Sequence, residues 1–118
     1  MKINPNLLEE VQFSTNETKT NELWIDNKPI YRKVVSIGAL PSSGGKNTSH
    51  NISNLDKVIN IYGFANSNTY KFPLPYTTNN NVSNIALYAT TTNVIVEVGQ
   101  NRSSFNGWAI LEYTKTTD

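Results

Sequence analysis

The run Asn93-Val94-Ile95-Val96-Glu97-Val98 constrains the fold more than any other stretch of the chain. Valine at every second position places three branched side chains on one face of an extended strand. Two neighbouring runs keep a period of two, Ile85-Ala86-Leu87-Tyr88-Ala89 and Trp108-Ala109-Ile110-Leu111-Glu112-Tyr113. In the last run Trp108, Ile110 and Glu112 share a face, with Ala109, Leu111 and Tyr113 opposite. Neither face is clearly polar, which predicts a strand covered on both sides.

The rest of the chain reads as strand, turn, strand. Val11-Gln12-Phe13 alternates, and Leu23-Trp24-Ile25 leads into the turn signal Asp26-Asn27-Lys28-Pro29. The β-rich run from Ile30 to Ile37 follows and closes a hairpin. Residues 40–54 read as a loop. Val58–Phe64 is the next strand, Asn66-Ser67-Asn68 a turn, and Thr69–Phe72 a strand stopped by Pro73 and Pro75. Thr77–Ser83 is a polar loop. Turns at 90–93 and 99–107 separate the closing strands. Residues 1–12 read either as a connector from an upstream segment or as one short helical turn around Leu7–Glu10, and residues 13–118 as the domain. About seven or eight short antiparallel strands predict an all-β domain, a β-sandwich or jelly-roll-like barrel.

Composition agrees. Eighteen of 118 residues are asparagine, and Asn, Thr and Ser side chains compete with helical hydrogen bonds. A chain of this length buries roughly two-thirds of its unfolded surface and needs no staple to fold. With no cysteine, disulfides and thiolate metal sites are excluded. A formal net charge of +1 offers no long-range steering toward nucleic acid or an acidic membrane. No apolar run approaches the roughly 20 residues of a membrane helix. Met1-Lys2-Ile3-Asn4-Pro5 lacks the apolar stretch of a signal peptide.

Catalytic signatures are weak. A Ser-His-Asp arrangement would recruit the lone histidine, His50, with Ser49 or Ser43 and Asp56, but no nucleophile elbow is present. Gly44-Gly45-Lys46 lacks the spacing and the Ser/Thr of a phosphate loop. Glu97 and Glu112 lie on strands that could bring two carboxylates together, as glycoside hydrolysis requires. The expectation is no enzyme, no cofactor and no metal.

The aromatic residues suggest binding instead. Rings beside Asn and Thr amides and hydroxyls hold a sugar, the ring on its C–H face and the polar groups on its hydroxyls. Trp24, Tyr62 and Trp108 read as core or interface. Tyr70 and Tyr76 flank a proline-bounded loop and read as surface. The candidate glycan-binding residues are therefore Tyr70, Tyr76, His50, Asn68 and Asn80, carried by loops 40–54 and 66–81.

Three segments together resemble one family: Leu23-Trp24-Ile25-Asp26-Asn27-Lys28-Pro29-Ile30-Tyr31-Arg32-Lys33, His50–Ile61, and Gly99-Gln100-Asn101-Arg102-Ser103-Ser104 with the closing Tyr113-Thr114-Lys115-Thr116-Thr117-Asp118. The chain from about residue 14 onward resembles the C-terminal domain of tail-fibre and receptor-binding proteins of phages and prophages of Gram-positive, low-GC bacteria. Asn27 stands where that pattern usually has glycine, and asparagine tolerates the left-handed backbone such a turn needs.

The resemblance implies a homotrimer at a virion tail tip, joined to an upstream fibre segment and made in the host cytoplasm. It also implies attachment to a bacterial surface polysaccharide or teichoic acid. Three copies of one weak site gain avidity, and association covers strand edges. The expected subunit interface is Trp24, Tyr31, Trp108, Ile110 and Tyr113. Two other functions fit the sequence: a purely structural trimerisation or capping module, and a polysaccharide depolymerase fragment using Glu97 and Glu112.

Overall fold

A computed structural model describes residues 12–118 as eight antiparallel strands in two sheets packed face to face. The strands are β1 (Thr18–Leu23), β2 (Pro29–Ala39), β3 (Gly44–Ser49), β4 (Leu55–Asn66), β5 (Lys71–Leu74), β6 (Ile85–Ala89), β7 (Asn93–Val98) and β8 (Asn106–Lys115). One sheet has the order β1-β2-β8-β4-β5 and the other β3-β7-β6. Among the described residues there is no α-helix. A single 3-10 turn, Asn81–Ser83, precedes β6. The fold is thus the expected all-β sandwich. The expected helical turn at Leu7–Glu10, and Val11, lie outside the described residues.

The period-two runs meet in the core. Val94, Val96 and Val98 face inward from β7, Ile85 and Leu87 from β6, and Ala109, Leu111 and Tyr113 from β8. Val35 and Ile37 of β2 complete the layer between the sheets. β8 is central, paired with β2 on one edge and β4 on the other. Its Ala109–Leu111–Tyr113 face is covered by the second sheet, whereas its Trp108–Ile110 face looks outward onto an apolar groove, so the cover its two-sided pattern predicts is met on one face. Gly63 of β4 is required by this pairing: a Cβ there would collide with the Trp108 carbonyl.

The strand boundaries differ from the sequence reading in three places. Gln12 and Phe13 are not in a strand, and the first strand is instead the polar Thr18–Leu23. Loop 40–54 contains β3, a strand of glycine and polar residues paired along its whole length with β7. Its Lys46 Nζ donates to the Ile37 and Ala39 carbonyls, both at 2.7 Å, and so ties this edge to β2. Pro73 lies inside β5 rather than ending it, which an edge strand permits.

The β1–β2 turn forms as the sequence predicts. Asn27 adopts a left-handed φ of 68°, and the Asp26 carboxylate accepts from the Lys28 N–H. Below it, Asp56 Oδ2 accepts from Lys28 Nζ at 3.0 Å, Lys57 Nζ at 3.1 Å and Thr114 Oγ1 at 2.9 Å. The Lys28 hydrogen bond, then those of Lys57 and Thr114, hold the Asp56 carboxyl down to a pKa of about 2.

Candidate functional site

A concavity of about 630 Å³ lies at one end of the sandwich. Three segments wall it: the turn between β4 and β5, the stretch from β5 to the 3-10 turn, and the β7–β8 loop. The β4–β5 turn is closed by main-chain and Ser67 hydrogen bonds. Ser67 N–H donates to the Tyr70 carbonyl, and Ser67 Oγ accepts from the N–H groups of Thr69 and Tyr70. This lifts Asn68 and Tyr70 to the rim, where Tyr70 is 59% exposed.

The floor is aromatic. Phe72 stacks almost parallel on Tyr76, with centroids 4.1 Å apart and 3° between planes, and on Phe105 at 5.0 Å. Tyr70 extends the stack outward, 5.9 Å from Phe72. Tyr76 is held by reciprocal main-chain hydrogen bonds with Ile85 at the start of β6. The inner rings occupy one another's faces and fix the row in place, which leaves the exposed Tyr70 at its outer end as the ring a sugar's C–H face packs on.

Arg102 enters beneath the rings. Its guanidinium carbon lies 5.3 Å from the Phe72 centroid, 5.7 Å from Phe105 and 6.0 Å from Tyr76, within cation–π range. Its Nη2 donates to the Ser83 carbonyl at 2.6 Å, while Nε is buried without a partner. The main chain clamps it too: Arg102 N–H donates to Pro41, and the Arg102 carbonyl accepts from Phe105. Gly99 lets the start of this loop pass close to the 3-10 turn, because a Cβ there would lie 2.7 Å from the Val82 carbonyl oxygen. The remaining lining is amide and hydroxyl, including Asn68, Gln100, Ser104 and Asn106, with no carboxylate.

Of the five residues expected to bind a glycan, the structure brings Asn68, Tyr70 and Tyr76 together at this pocket. Asn80 lies outside the lining. Its side chain accepts from the Val82 N–H and caps the 3-10 turn. His50 is elsewhere and only 1% exposed, which leaves its ring no surface to offer a ligand. Its Nδ1 accepts from the Ile52 N–H and its Nε2 meets the Thr90 carbonyl at 3.0 Å, so the neutral Nε2–H tautomer satisfies both. It sits near the start of β7, whereas the pocket forms beyond that strand's end. Sequence reasoning missed Arg102, Phe72 and Phe105. The signal for Arg102 was one cation inside an otherwise neutral Gly/Asn/Ser loop.

The expected interface residues divide by face. Trp108 and Ile110 line an apolar groove of about 500 Å³ on the outer face of the five-stranded sheet, together with Phe13, Val34, Tyr62 and Phe64. Tyr113 points the other way. It is completely buried within its own chain, which removes it from any contact with a neighbour. Its hydroxyl donates to Glu17, and burial first, then that bond, pushes its pKa up. Tyr31 stacks on Tyr113 at 5.9 Å. It donates to Asp118 Oδ2, a hydrogen bond that raises its pKa to about 12. Trp24 is half-buried at the β1–β2 turn, where its N–H and carbonyl bond Lys28 and Asn27.

The two glutamates do not meet. Glu97 projects from the outer face of the three-stranded sheet and accepts from the Tyr88 hydroxyl at 2.7 Å. Glu112 projects from the outer face of the opposite sheet and pairs with Arg32 at 2.9 Å. Ser49 Oγ donates to Asn51 rather than to His50. Among the described residues no three His, Asp or Glu side chains gather as metal ligands, and no helix is long and apolar enough to cross a membrane. No protein-family model, curated protein or solved structure matches the chain.

Proposed function

We propose that the domain binds a glycan on a bacterial surface through the end pocket and that it serves as the attachment domain of a trimeric phage tail fibre. The observation that carries the binding half is the Tyr70–Phe72–Tyr76 shelf, open on one side and ringed by amides and hydroxyls. Aromatic faces supply contact area, and the rim supplies the donors and acceptors that sugar hydroxyls require. The carboxylates first considered for hydrolysis lie on opposite outer faces, so the arrangement favours binding over bond cleavage.

The assembly half rests on the sequence resemblance and is supported by the apolar groove around Trp108, Tyr62 and Phe64. An apolar face on an otherwise polar surface is the usual mark of a protein contact. It also favours a second reading, a trimerisation module whose fibre attaches by another domain.

Binding of the purified chain to intact Gram-positive cells and to a glycan array tests both. We expect binding that Tyr70→Ala weakens roughly ten-fold, the equivalent of about 1.4 kcal/mol. Failure to bind any cell or glycan, with the trimer intact, would leave the structural module as the function.

A further inference from the structure

We propose that the ligand of the end pocket carries an anionic group, a phosphodiester or a carboxylate, and that Arg102 receives it. This rests on the pocket being a glycan site and specifies the class of glycan. Arg102, at 7% exposure, is the most buried cation among the described residues. Three other shielded cations meet carboxylates, Arg32 with Glu112 at 2.9 Å, Lys115 with Glu17 at 2.9 Å and Lys28 with Asp56 at 3.0 Å, while the less buried Lys46 has two carbonyls for its ammonium. Arg102 meets one carbonyl and three ring faces, and its Nε has no partner at all. A charge so withdrawn from water is poorly compensated by neutral groups, and a countercharge reaching it acts at low dielectric.

The pocket that Arg102 lines is shaped to admit such a countercharge. It has no carboxylate of its own to repel an anion or to occupy the arginine. A guanidinium presents a planar fork that matches the oxygens of phosphate and carboxylate. Lys71, whose Nζ donates to the carbonyl of the lining residue Ser67 at 2.8 Å, adds a second positive charge beside the entrance. The shelf would hold the sugar or polyol, and Arg102 the charge that distinguishes it from a neutral polymer.

The competing explanation is that Arg102 merely struts the 3-10 turn through Ser83. Titration of the wild-type chain with poly(glycerol phosphate), oligogalacturonate and neutral dextran of similar length separates the two, followed by calorimetry and by amide NMR shifts at low and high salt. We expect at least one anionic polymer to bind ten-fold or more tightly than dextran, shifting Tyr70, Tyr76 and Arg102, with the advantage shrinking as salt rises. Which of the two binds identifies phosphate or carboxylate as the source. Arg102→Gln should abolish the preference and Arg102→Lys retain part of it. Dextran bound at the same residues as tightly as both anionic polymers would overturn the inference and leave the glycan site standing. Anionic binding that Arg102→Gln does not weaken would likewise overturn it. No binding by any of the three would remove both.

Discussion

At the scale of single residues, much of the asparagine content is turn chemistry. Asn27, Asn51 and Asn54 all adopt left-handed backbone, Asn80 caps the 3-10 turn, and Asn84 Oδ1 accepts from Thr78. That is why Asn80 looked like a ligand contact in the sequence and is a structural cap. An exposed sugar-binding amide and a capping amide have the same composition signal, and only their hydrogen-bond partners tell them apart. His50 was illegible for the same reason. Asp56 carries a prediction at this scale. Its folded-state pKa of about 2 lies below that of an unfolded aspartate, about 3.9. The ion cluster therefore stabilises the fold fully above pH 4, and this stabilisation is lost as pH falls through 2. Asp56→Asn should lower the urea midpoint at pH 7 and match the wild type near pH 2.

At the scale of elements, the strands with alternating apolar residues were legible and the polar ones were not. β6, β7 and β8 declare themselves because one face must be dry. β3 spells Gly-Gly-Lys-Asn-Thr-Ser and is held by main-chain pairing with β7 and by the reach of Lys46, neither of which leaves an apolar period. β1 is similarly polar, with Thr20 the buried member, its hydroxyl donating to the Ile30 carbonyl. The close contact of β4 with β8 yields a second prediction. Gly63→Ala sets a methyl against the Trp108 carbonyl and 3.1 Å from Ala109 Cα. The backbone of the central strand has to shift, at a cost of about 1–3 kcal/mol. Equilibrium urea unfolding should show that loss, with the same slope if the sandwich otherwise persists.

At the scale of the whole molecule, two surfaces have different characters: a polar-rimmed aromatic pocket at one end and an apolar groove on a sheet face. The sandwich itself followed from period-two patterning. The groove was legible in part: Trp108 and Ile110 stood out as interface residues on a strand apolar on both faces, whereas Val34 and Phe64 alternate just as core residues do, and only the lack of a second layer over them among the described residues marks the difference. If copies associate there, Phe64→Lys should reduce the light-scattering mass to that of one chain. The thermal transition of the isolated chain should hardly move, since Phe64 is 40% exposed without a partner. The pocket's rim has a separate consequence. Asn68, Thr69, Gln100 and Ser104 stand in turns, outside the ladders and the core. A lineage could exchange those few letters and adhere to something new, while every strand beneath kept its place.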